Sequence, residues 1–168
     1  IKYTVASDTL IVNAQFSALS CSAFSAVLGS AGATTYTGST GSDTAWLSNT
    51  FYPIGLWSQL NNANMKGWAG VSSDISANFN SDLGDSDCLS GSNGWYYGYD
   101  APPNFYIGFV TVLLHEMTHG LGFASLVNAS TGAKASGYDD IFSNNLYDSS
   151  NGAWPNLSNA QRAASATS

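Results

Sequence analysis

The stretch Phe105–Phe123, FYIGFVTVLLHEMTHGLGF, decides how the rest of the chain is read. Its apolar run, Phe105–Leu114, falls far short of the ~20 residues that cross a bilayer. Ala101-Pro102-Pro103-Asn104 stops whatever precedes it and offers Asn104 as a cap, so a central helix is predicted over Phe105–Leu121. The chain has two histidines and one glutamate, and all three fall in His115-Glu116-Met117-Thr118-His119. On a helix, residues four apart share a face, so both imidazoles can reach one metal ion. Glu116, next to His115, is placed to act on a water there. Zinc suits the donors, because it accepts imidazole nitrogen in a tetrahedral site and brings no redox chemistry.

The competing reading is a chance HExxH on an amphipathic helix with both histidines satisfied in a core. Two features weigh against it. The match does not come from a chain rich in His or Glu, and Gly120 and Gly122 let the backbone turn right after the second histidine. A structural zinc closes with Cys or His ligands, and no third histidine exists.

The segment His115–Phe123, HEMTHGLGF, resembles the zincin metallopeptidases. Phe79–Phe123 is most similar to a group of secreted bacterial zinc-peptidase-like proteins, which pair a stretch like FNSDLGDSDCLSGSNGWYYGYD with VTVLLHEMTHGLGF. The tail Trp154–Ser165 also fits their pattern. Metzincin-like proteins would place a third histidine where Ser125 stands, and need a later methionine that this chain lacks. Thermolysin-like proteins place a glutamate twenty residues after the second histidine, and Asp139 stands at that offset.

With histidine and glutamate exhausted, the later candidates for a third ligand are Asp139, Asp140 and Asp148. If Tyr138–Leu146 is helical, Tyr138, Ile141, Phe142 and Leu146 form one apolar face. Asp139 flanks it, and Asp140 points away. The expected metal set is therefore His115, His119 and Asp139, with Glu116 as general base. Tyr138, Tyr97 and Tyr99 are candidates to steady a developing oxyanion. Asp82, Asp85 and Asp87 are candidate calcium ligands, against the plainer reading of a solvated acidic loop. Arg162 is expected in a structural ion pair.

Composition narrows the partners. The chain has 168 residues, enough for one domain over 1–168 with a single core. Only 9% is charged and the net charge is −7. Polarity comes instead from 26 Ser, 15 Asn, 12 Thr and 17 Gly. Four scattered cations (Lys2, Lys66, Lys134, Arg162) cannot form the basic stripe that nucleic acid or an anionic membrane surface requires. Cys21 and Cys88 sit in no CxxC, so one disulfide is expected, stabilising the fold by roughly 4 kcal/mol in the chain-entropy model. A disulfide points to an oxidising compartment. The start at Ile1, with no initiator Met or leader, reads as a mature secreted product.

Elsewhere the spacing predicts a strand over Tyr3–Val12, a helix over Phe16–Leu28 stopped at Gly29, and a loop or edge hairpin over Ala31–Asp43. A helix is expected near Pro53 running to Leu60. A strand follows within Gly70–Asn80, its Asp74–Asn80 part the candidate edge for an extended substrate. Ser81–Gly94 reads as an acidic loop and the tail as an Ala-rich segment around Arg162. The expectation is an α+β, zincin-like domain: a small mixed sheet, an active-site helix and a C-terminal subdomain supplying the third ligand. Its expected activity is secreted, zinc-dependent endopeptidase action on a protein or peptide substrate, as a monomer. The rival readings are a zincin-like protein without peptidase activity, or an extracellular binding module that uses exposed aromatics.

Overall fold

The computed structural model describes residues 9–38 and 47–167. Its first sheet carries the site. Val12–Ser17 (β1) alternates Val, Ala and Phe with polar residues, so one face suits a core and the other water. A short hairpin follows, Cys21–Ser22 (β2) with Ser25–Ala26 (β3), then Gly29–Ala33 (β4) and Tyr36–Gly38 (β5). Thr50–Pro53 (β6) leads directly into the helix Ile54–Leu60 (α1), and Ile75–Asn80 (β7) completes the first sheet. The strand order is β1-β7-β4, with β1 parallel and β4 antiparallel to β7.

Register stacks three columns on one face: Val12, Ala14 and Phe16; Ile75, Ala77 and Phe79; Gly29, Ala31 and Ala33. The middle column is buried. Trp95–Tyr96 (β8) pairs with Ile107–Gly108 (β9), which hands the chain to the helix Phe109–Gly120 (α2). α2 lies over this face antiparallel to β7. At one end Phe109 packs on Phe79, ring centroids 4.9 Å apart. At the other, a Cβ on Gly120 would stand 2.5 Å from Ile75 Cγ2, so only glycine lets the helix come this close.

A second core surrounds α1, where Tyr52, Ile54 and Trp57 are buried together with Ile141 against them. Asp139–Asp140 (β10) pairs with β6, and β6 with β5. Tyr147–Asp148 (β11) and Gly152–Ala153 (β12) form a hairpin before the helix Asn159–Ser165 (α3). A capping box between Ser158 and Gln161 starts α3. The architecture is a small mixed α+β fold of helices and several small sheets. Among the described residues no helix is long and apolar enough to cross a membrane.

Several expectations hold. α1 begins at Pro53 as its N-cap, β7 falls within Gly70–Asn80, Ser81–Gly94 lacks long elements, and Cys21 is bonded to Cys88. Others need correction. Phe16–Leu28 is not a helix: Phe16 lies in β1, stacked on Phe109, and the β2–β3 hairpin follows. There the Ser22 hydroxyl accepts from the amides of Phe24 and Ser25, a side-chain substitute for helical bonding. α2 starts at Phe109 rather than Phe105, because Asn93 N–H donates to the Phe105 carbonyl and Ile107 pairs with Trp95. Tyr138–Leu146 is β10 followed by the 3-10 turn Ser143–Asn145, not a helix. Most of the predicted strand Tyr3–Val12 lies outside the described residues, as does 39–43 of the predicted loop; its earlier part forms β4 and β5.

Candidate metal centre

His115 lies on the flank of α2 that faces β4 and is exposed, and His119, one turn further on, is half-buried. Their rings are perpendicular, with Nε2 atoms 3.1 Å apart. His119 Nδ1 lies 2.8 Å from the Phe123 carbonyl oxygen. A carbonyl only accepts, so Nδ1 carries a proton, and in that tautomer the His119 Nε2 accepts from a hydrogen on His115 Nε2. Two imidazole nitrogens on a tetrahedral zinc at 2.0–2.1 Å stand about 3.3 Å apart. The spacing of the two nitrogens is thus close to that of a chelating pair.

The helix end creates this arrangement. Phe123 N–H donates to the Thr118 carbonyl and Gly122 N–H to that of His119, which together make a Schellman cap. Gly122 takes φ +108°, a conformation side chains resist, and its turn returns the Phe123 carbonyl to His119. A Cβ there would also meet Pro53 Cγ at 3.0 Å.

The Glu116 stem lies against Gly29 of β4, and the residue is 6% exposed. With His115 it lines a cleft of about 400 Å³ bounded by Val27, Leu28 and Gly29 on one side and by Thr111 and Val112 on the other. Among the described residues β4 is an edge strand, so one side of its backbone has no strand partner along this cleft. The expectation that Asp74–Asn80 forms the edge is corrected: β7 is the central strand, and β4 borders the cleft.

Asn80, which sequence reasoning passed over, fixes the cleft rim. It is fully buried; its Nδ2 donates to Val27 O at 2.8 Å and its amide to Leu28 O at 3.0 Å. Its Oδ1 accepts from the amides of Asp82 and Leu19. The only sequence signal was an Asn closing a strand just before an acidic loop.

The remaining predicted site residues are not brought to the histidines. Both oxygens of Asp139 are 2.8 Å from Lys134 Nζ. Asp140, buried, accepts from Leu126 N–H, Ser143 N–H and the Ser143 hydroxyl. Asp148 is held below the usual carboxylate range, first by the Ser165 hydroxyl and then by the amides of Asn151 and Ser150. Among the described residues no His, Cys, Asp or Glu makes a group of three with the histidine pair. The third ligand expected at Asp139 is therefore not assembled here. Nor do Asp82, Asp85 and Asp87 converge as a calcium site: Asp82 takes the Ser81 hydroxyl at 2.7 Å, and Asp85 and Asp87 point into solvent.

The tyrosine candidates scatter. Tyr97 packs on Phe109 at the far end of α2, Tyr99 is 95% exposed, and Tyr138 meets Phe51 edge-on. Arg162 makes no ion pair among the described residues. It is buried and donates to the carbonyls of Gly132, Trp154 and Leu157 and to Asn159 Oδ1. Compared with family models, curated proteins and solved structures, the chain matches none.

Proposed function

We propose that the protein is a secreted zinc-dependent endopeptidase of zincin type. One observation carries the reading: two Nε2 atoms converge at 3.1 Å, one with its tautomer set by the Phe123 carbonyl, beside the chain's sole glutamate. The donor set fits zinc, which His115 and His119 would hold. When bound, zinc supplies Lewis acidity that polarises a carbonyl and acidifies water.

The chain's own residues do the rest. An extended peptide lies along the unpaired edge of β4, its backbone bonding to the strand. A Glu116 carboxylate oxygen takes a proton from the attacking water as the new C–O bond forms. The same oxygen returns that proton to the departing amide nitrogen as the C–N bond breaks. The disulfide between Cys21 and Cys88 suits the extracellular setting.

Metal analysis together with hydrolysis of unfolded casein, with and without chelator, tests the proposal. We expect about one zinc per chain and chelator-sensitive cleavage. Glu116→Gln should keep the metal and lose turnover by at least about 100-fold, within the range for a general base. A protein without zinc, unaffected by chelator, would sink the reading. A binding module is the second reading, favoured by the exposed rings of Tyr97, Tyr99, Phe105 and Phe24. It expects ligand retention after the metal is stripped.

A further inference from the structure

We infer that Gly29, on the edge strand, is a positioning residue for Glu116. This rests on the reading of Glu116 as the base. Gly29 does not adopt a positive φ, so backbone conformation does not demand glycine there. Space does. A Cβ at Gly29 would stand 3.0 Å from Glu116 Cγ and 3.3 Å from its Cδ. On the same side it would meet the Asn78 backbone oxygen at 3.3 Å. That oxygen belongs to the strand ladder and yields little, so the glutamate has to give way.

Gly29 opens the column Gly29, Ala31, Ala33 that β4 turns toward α2, and no other member lines the cleft. The missing Cβ makes a slot, and the Glu116 stem fills it. The carboxylate is thereby held beside His115 in the cleft. Any side chain at 29 displaces that carboxylate while leaving the imidazoles of His115 and His119 in place. Gly29 thus sets where the proton is taken without touching the metal ligands.

Gly32, in the same strand, supplies the control, since a Cβ there meets nothing within 4 Å. The experiment is a thermal double-mutant cycle on the full chain, with Gly29→Ala and Gly32→Ala each made in the native and Glu116→Ala backgrounds. Gly29→Ala should lower Tm by about 3 °C with Glu116 present and by under about 1 °C without it. Gly32→Ala should leave both backgrounds unchanged. In casein hydrolysis, Gly29→Ala should cut kcat by about 10-fold, the scale of a sub-ångström misplacement, with KM and bound zinc unchanged. Equal Tm shifts in the two backgrounds overturn the contact. A Gly29→Ala protein that loses zinc overturns the separation of base from ligands. An inactive native protein overturns the peptidase reading itself, which the Tm cycle distinguishes from failure of the contact.

Discussion

The turn that carries His115 and His119 and the segment from Asp139 to Asp148 are both polar, and both lie C-terminal in the chain. They differ in what their donors are doing. In α2 the two Nε2 atoms share a hydrogen bond, and His119 Nδ1 donates to the Phe123 carbonyl. In the later segment each carboxylate is already spent: Asp139 on Lys134, Asp140 on Leu126 and Ser143, Asp148 on its own hairpin. A coordinating group needs a lone pair without a better partner. The difference teaches that the later carboxylates hold the chain, while the proposed ligands on α2 make few other bonds.

Removing both imidazoles should have the largest effect. His115→Ala combined with His119→Ala leaves no chelate, and zinc affinity should fall by more than about 100-fold, beyond what losing a supporting group costs. Isothermal titration with zinc reads it, and retained affinity would place the metal elsewhere. Asp140→Ala is the mirror experiment. It strips three donors of a buried acceptor. Stability should drop by about 3 kcal/mol in urea unfolding, with little change in zinc affinity for the folded protein. Strong zinc loss from this folded variant would erase the contrast between the two regions.

Gly122→Ala falls between them. Alanine at φ +108° is strained by about 1–2 kcal/mol, and its Cβ also meets Pro53. The Schellman turn then loosens and the Phe123 carbonyl drifts from His119. Zinc affinity should weaken by about 10-fold, the scale of disturbing a ligand's supporting hydrogen bond. The absorption spectrum of the cobalt-substituted protein should shift with it. An unchanged spectrum would show that the carbonyl does not orient the ring.

The same contrast explains what could be read from sequence. A four-residue spacing on one helix is fixed by helix geometry, so the placing of His115 and His119 on one face needed no tertiary knowledge. The glycine cap after them was equally local. Pro53 before α1 and the alternation in β7 were of this kind too. What the sequence left open or misread was decided by distant partners. Phe16 and Leu28 had helical spacing with intervening apolar residues, but β7 claimed Phe16 by strand pairing, and the disulfide drew Cys21 to Cys88. Asp139 had a suggestive offset, but offset says nothing about Lys134. Gly29 and Asn80 carried no local signal, since their roles appear only when β4, β7 and α2 meet.

The smallest expected effect belongs to the residue on which the comparison turns. Asp139 and Lys134 form a partly shielded pair, at 19% and 17% side-chain exposure. Lys134 also donates to the Pro155 carbonyl at 3.1 Å, so losing the aspartate does not strand the ammonium. Asp139→Ala should therefore cost at most about 1 kcal/mol. If the carboxylate stays with Lys134, zinc affinity should stay within about 2-fold, as for a change remote from the site. A loss of 10-fold or more would mean that Asp139 exchanges its lysine for the metal. Lys134→Met separates the cases, because it removes the competitor and leaves the carboxylate. Should Asp139 be a ligand in exchange, Lys134→Met tightens zinc binding. Should it be a structural partner only, the same variant leaves zinc binding where it was, and the two regions keep their separate tasks.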